Sequence, residues 1–190
     1  MITRVIIILV LQSVFLGGMI AKKQNTLNHG KQVLLETQPI DPRSLFRGDY
    51  VVLNYTISTL NLDELEGDNE FDEHDAIYVT LRKDGDYHQA VAVYNQHPGE
   101  SGDDVVIRGT VDYIDNQRWD QAANQYVPQA EARVSYGIEN YFVPEGEGRV
   151  LERRNAGKVD IRVAVDESGS SGIKAVLVDG EERYVESLFQ

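Results

Sequence analysis

The chain has 190 residues, 42% of them apolar, enough for one ordinary core plus an appendage. It carries 31 acidic against 18 basic side chains, a formal charge of −13, and every acid lies beyond residue 23. Such a body repels nucleic acid and anionic headgroups, so no nucleic-acid partner is expected. Cysteine is absent, which excludes disulfides, thiolate metal ligands, a cysteine nucleophile and a lipidated N-terminal cysteine.

The appendage comes first. Val5 to Ala21 contains no charge and is bounded by Arg4 and by Lys22-Lys23. As a helix it is about 26 Å long, at the short end of what crosses a bilayer. A cleaved secretory signal needs small residues at both −3 and −1 of its exit site. Ending at Ala21, Gly18 or Gly17 puts Met19, Leu16 or Phe15 at −3, so a retained signal anchor is the favoured reading. Basic residues flank both sides and do not fix the orientation. A very short N-terminal tail before an apolar run behaves as a signal sequence, which places the bulk of the chain outside the cytoplasm. The expected organisation is an anchor over 1–23, a linker over 24–32 and a soluble domain over 33–190.

Beyond the anchor the periodicity is that of short strands between turn residues. Strands are expected at Val33–Thr37, Tyr50–Ser58, Ala76–Arg82, Gln89–Tyr94, Val105–Ile114, Glu131–Tyr136, Val159–Val165, Gly172–Val178 and Arg183–Glu186. Asp84-Gly85 and Asp179-Gly180 supply the positive φ angles of tight hairpins. One short helix fits Gly146 to Arg154, with Glu147 near its start and basic residues at its end. The fold class is therefore mainly β, an antiparallel sandwich or small barrel with one short helix, behind an N-terminal transmembrane helix. The acidic stretch Leu60–Asp75 reads as a solvated loop. Asp68, Glu70 and Asp72 alternate as in a calcium loop, but the glycine at the sixth position and the glutamate at the twelfth are missing, so no metal is expected.

Two stretches carry identity. The segment Pro39-Ile40-Asp41-Pro42-Arg43-Ser44-Leu45-Phe46-Arg47-Gly48-Asp49-Tyr50-Val51-Val52-Leu53-Asn54-Tyr55 reads Gly-Asp-Tyr-x-x-Leu-x-Tyr behind a proline-rich lead-in. It resembles the signature of the bacterial GDYXXLXY family. Tyr136-Gly137-Ile138-Glu139-Asn140-Tyr141-Phe142-Val143-Pro144-Glu145-Gly146 resembles a second stretch of that family. Together with the anchor the resemblance covers nearly the whole chain. It identifies relatives but implies no reaction; the partner it implies is a multi-spanning membrane protein.

In a strand over Tyr50–Ser58, alternation puts Asp49, Val51, Leu53 and Tyr55 on one face and Tyr50, Val52, Asn54 and Thr56 on the other. The named positions of the motif therefore do not form one cluster. Leu53 and Tyr55 read as core residues, with the Tyr55 hydroxyl needing a partner. Gly48 allows a tight entry to the strand, and Asp49 can accept from nearby amides or pair with Arg43 or Arg47. Arg43, Arg47 and Asp49 could alternatively form a polar site for an anionic group. Glu139, Glu145 and Glu152 are candidates to meet the two arginines across the fold.

No nucleophile stands in a recognisable context. Ser44 lacks the Ser-Met-x-Pro surroundings of anchored signal peptidases, and His29, His74, His88 and His97 lie outside any nucleophile elbow. The candidate set, as ligand site or structural motif, is Arg43, Arg47, Gly48, Asp49, Tyr50, Tyr55, Glu139 and Glu145. No cofactor is expected. The reading is a membrane-anchored, outward-facing binding or accessory domain; the alternative is an envelope hydrolase using carboxylates near Asp49 and Glu145.

Overall fold

In the computed structural model the described residues are 2–38, 50–99, 101–120, 124–142 and 158–185. In chain order they form α1 (Ile2–His29), β1 (Lys31–Glu36), β2 (Tyr50–Val52), a 3-10 turn (Thr56–Ser58), β3 (Thr59–Asn61), β4 (Glu66–Gly67), β5 (Ala76–Asp84) and β6 (Tyr87–Tyr94). There follow β7 (Val105–Asp120), β8 (Gln125–Ser135), β9 (Asn140–Phe142), β10 (Val159–Val165), β11 (Ser171–Val178) and β12 (Glu181–Val185). The expected helix over Gly146–Arg154 lies outside the described residues.

Among the described residues the fold is mainly β, with two principal sheets and no closed barrel. One sheet has the order β1-β10-β11-β12, the other β3-β8-β7-β5-β6-β4, and β2 pairs separately with β9. All pairings are antiparallel except the short β4–β6 contact. The core lies between the sheets. Val33, Leu35, Ile161, Val163 and Ile173 from the first meet Ile77, Val79, Leu81, Ile107 and Val134 from the second in one apolar cluster. Alternation along β1 and β5 puts one face of each strand in that cluster. Gly85 takes a φ of 61° at the first loop position of the β5–β6 hairpin, and Asp179 and Gly180 are both left-handed in the β11–β12 turn.

Three expectations need correction. The strand over Tyr50–Ser58 breaks after Val52. Tyr55 makes one bridge to Thr37, and the chain then coils through Thr56–Ser58, closed by Ser58 N–H to Tyr55 O at 3.0 Å and Tyr55 N–H to Ser58 Oγ at 3.2 Å. The coil buries Ile57 and Ser58 in succession, which a straight strand forbids, and the buried positions resume one residue out of phase at Leu60 and Leu62. The acidic stretch is also more than a solvated loop: Leu60 and Leu62 are buried, Leu65 and Phe71 pack on the core, and Asp68 accepts the Asn95 N–H at 2.8 Å. Finally, β7 runs on to Asp120 and pairs with a β8 that starts at Gln125, a ribbon longer than the sheet from which it projects.

The N-terminal helix is long and apolar enough to cross a membrane, and none of its most apolar window is buried against the protein. It does not stop at Lys23. It continues to His29, about 42 Å in all, and a single residue, Gly30, separates it from β1. Its last turns are built into the first sheet. Thr26 Oγ1 donates to Asp166 Oδ2 at 2.6 Å, Lys23 Nζ donates to Ser171 O at 2.8 Å, and Lys174 Nζ donates to Leu27 O at 2.9 Å, satisfying a carbonyl at the helix end. Thr26 and Leu27 are buried there. The helix thus meets the end of the sheet formed by Lys31, Val165 and Ser171, while Glu36 and Asp160 mark the opposite end.

Candidate functional site

The two family-like stretches meet. β2 and β9 pair with Tyr50 opposite Phe142, Val51 opposite Tyr141 and Val52 opposite Asn140, and Leu53 N–H continues the ladder to Glu139 O at 2.7 Å. Beyond it Tyr55 donates its hydroxyl to Ile138 O at 2.6 Å, and Tyr136 donates its own to Ile57 O at 2.7 Å. Each stretch therefore sends a tyrosine to the carbonyl two residues past the other's tyrosine. Both hydroxyls are buried. Burial first, and the Glu139 charge second, push both phenols well above their ordinary range, so neither serves as a proton acceptor near neutral pH.

Glu139 closes the second stretch on itself, its Oε1 accepting Tyr136 N–H at 2.5 Å. Gly137 supports this turn with a φ of 75°. Ser171 Oγ donates to Tyr136 O at 3.1 Å, so the residue that receives Lys23 of the helix also holds the tyrosine pair. On the other side, Arg133 of β8 donates to Asn54 Oδ1 and to Thr59 Oγ1, at 2.5 and 2.8 Å. Asn54 in turn meets Gln38 through Gln38 N–H to Asn54 O at 2.7 Å. Arg133 thereby ties Asn54 and Thr59, on either side of Tyr55, to β8.

A cleft of ≈ 280 Å³ opens beside the motif, lined by Thr56, Ile57, Leu60, Glu64, Glu36 and Gln89 among others. Glu36 also pairs with Lys158 at 2.7 Å, and that ammonium lies 4.3 Å from the centre of the Tyr87 ring. The bond to Glu36 pushes the Lys158 ammonium above its ordinary range, keeping it charged. Tyr87 donates to buried Asp160 at 2.8 Å.

Of the residues singled out in the sequence, Tyr55 and Glu139 are brought to one place, and Tyr50 reaches it through its backbone in β2. Arg43, Arg47, Gly48, Asp49 and Glu145 lie outside the described residues, as do Ser44 and Glu152. Tyr136, Ser171 and Arg133 were not singled out as site residues. Tyr136 had a readable signal, since Tyr-x-Ile occurs at Tyr55–Ile57 and again at Tyr136–Ile138. Ser171 and Arg133 had none, because their partners are far away in sequence. Among the described residues no group of three or more His, Asp or Glu side chains could hold a metal ion.

A family model described as GDYXXLXY protein matches residues 12–176 of the chain. No curated protein and no solved structure matches it.

Proposed function

The chain belongs to the GDYXXLXY family, and from that premise we propose that it is a membrane-anchored binding or accessory domain, held outside the cytoplasm beside a multi-spanning membrane protein. The observation that carries this reading is the join between α1 and the first sheet. The apolar window of the helix is fully uncovered and suited to lipid or to neighbouring membrane helices, while Thr26 and Leu27, a few residues later, belong to the fold of the domain. An anchor joined this way stays with the domain and sets its orientation relative to the bilayer. The motif tyrosines, both neutral and fully engaged, support a structural use of the signature rather than a proton-transferring one.

The test is co-purification in mild detergent of the full-length chain from its native membrane, beside a version beginning at Gln24. A stoichiometric multi-spanning protein recovered only with the anchored chain supports the reading. Recovery of the intact chain alone from the membrane refutes the accessory role.

A further inference from the structure

The six-stranded sheet curls without closing, and the cleft marks the gap. β3, with Thr59, Leu60 and Asn61, forms one lip; β6, with Gln89 and Ala90, forms the other; the end of β1 at Glu36 completes the wall. Among the described residues β3 is paired on one side only, by β8. Leu62 N–H bonds Ala130 O, so by strand alternation the Leu60 N–H also faces β8 and those of Thr59 and Asn61 face the cleft. β4 covers β6 only at Ala92 and Val93, leaving the β6 edge at Gln89 and Ala90 without a strand partner among the described residues. The cleft is therefore bordered by two strand edges, the arrangement that accepts an extended peptide through main-chain hydrogen bonds.

Its chemistry selects the side chain. Ile57, Leu60, Leu65 and Ala90 give an apolar floor, Glu64 supplies an exposed carboxylate beside Glu36, which Lys158 pairs, and among the described residues no lysine, arginine or aromatic ring is part of the lining. Lysine and arginine lay their methylene stems on such a floor while the charged head reaches a carboxylate. A sugar would lack a stacking ring, and two carboxylates are too few to hold a divalent cation unaided. The volume falls just below the range usual for drug-sized ligands and suits one side chain with its flanking backbone.

We propose that this cleft binds an extended peptide segment carrying a lysine or arginine, with the cation on Glu64 and the peptide backbone on the β3 lip. The proposal goes beyond the accessory reading and does not depend on it, since the peptide can belong to any protein that reaches the domain.

The experiment measures fluorescence anisotropy of labelled pentapeptides, Ser-Val-Lys-Val-Ser and Ser-Val-Glu-Val-Ser, with the full-length protein in nanodiscs. The lysine peptide is expected to bind about tenfold more tightly than the glutamate peptide. Glu64 is exposed, so Glu64→Gln keeps the fold and is expected to remove most of that difference. Glu73→Gln makes the same change of net charge at an exposed position outside the cleft and is expected to leave it intact. Equal affinity of the two peptides, no binding of either, or equal losses from the two substitutions would overturn the proposal. So would competition by spermidine as strong as by unlabelled lysine peptide, which would assign the site to free amines.

Discussion

Tyr55 and Tyr136 hold each other's segments in a reciprocal clasp: Tyr55 donates to Ile138 O at 2.6 Å and Tyr136 to Ile57 O at 2.7 Å. The last tyrosine of the signature thus has a reason to be tyrosine. Phenylalanine fills the same space but leaves a buried carbonyl without its donor.

Tyr55→Phe and Tyr136→Phe are each expected to cost about 1 to 3 kcal/mol in denaturant unfolding. Because the two bonds join the same two segments, the double variant should lose less than the sum of the single ones. The clasp also has an alkaline limit. Both phenols are raised in the folded protein, so the unfolded chain gives up these protons first, near pH 10, and stability falls as pH rises beyond that. Melting temperatures from pH 8 to 11 should fall less steeply for either phenylalanine variant than for the wild type.

A second titration works from the acid side. His88 Nδ1 accepts Leu34 N–H at 3.2 Å, joining β6 to the outer edge of β1, and can do so only while unprotonated. Burial lowers the His88 pKa, and accepting the Leu34 N–H, which only the neutral ring can do, favours the same form. The unfolded chain therefore takes up the proton first as pH falls below about 6.5, and stability is lost through that window. Melting curves between pH 7.5 and 5 should show this loss, and His88→Gln should flatten it.

The helix junction has its own acid dependence. Asp166 accepts from Thr26 Oγ1, from Ser168 N–H and Oγ, and from Ser170 N–H. Burial pushes the carboxyl up, but these hydrogen bonds outweigh it and hold its pKa below the ordinary value. Their contribution is present above about pH 4 and disappears as pH falls through the folded pKa. Hydrogen exchange near pH 3 should show the amides of residues 26–30 opening before those of β5 and β7. Asp166→Asn should bring the same opening at pH 7.

Gly30 and Gly172 flank the same junction and should respond differently to alanine. A Cβ on Gly30 would lie 2.5 Å from Thr26 O and 2.8 Å from Val165 O, both backbone atoms that cannot swing away. Gly30→Ala is expected to cost about 1 to 3 kcal/mol. A Cβ on Gly172 would instead meet the ends of the Leu27 and Lys23 side chains at 2.9 Å, and these can turn aside. Thermal melts should place Gly172→Ala close to wild type and Gly30→Ala well below it; similar losses would count against a rigid junction.

The sequence by itself determined the apolar span, the β class and most strands, because an uncharged run and a period of two are local properties that follow from burial of one face. It also determined that Tyr55 belongs in the core and that its hydroxyl needs a partner. Only the tertiary structure decided what that partner is, because Ile138 lies 83 residues away and nothing local selects its carbonyl. The loss of the strand before Ser58 had the same origin: alternation predicts a continuous strand, and the demand to bury Ile57 and Ser58 in succession, with Leu60 and Leu62 after them, arises only when the second sheet is in place. The reach of α1 into the domain was equally hidden. Residues 24–29 are polar enough to read as a linker, and they become helix and core through Asp166, Ser171 and Lys174, which arrive more than a hundred residues later.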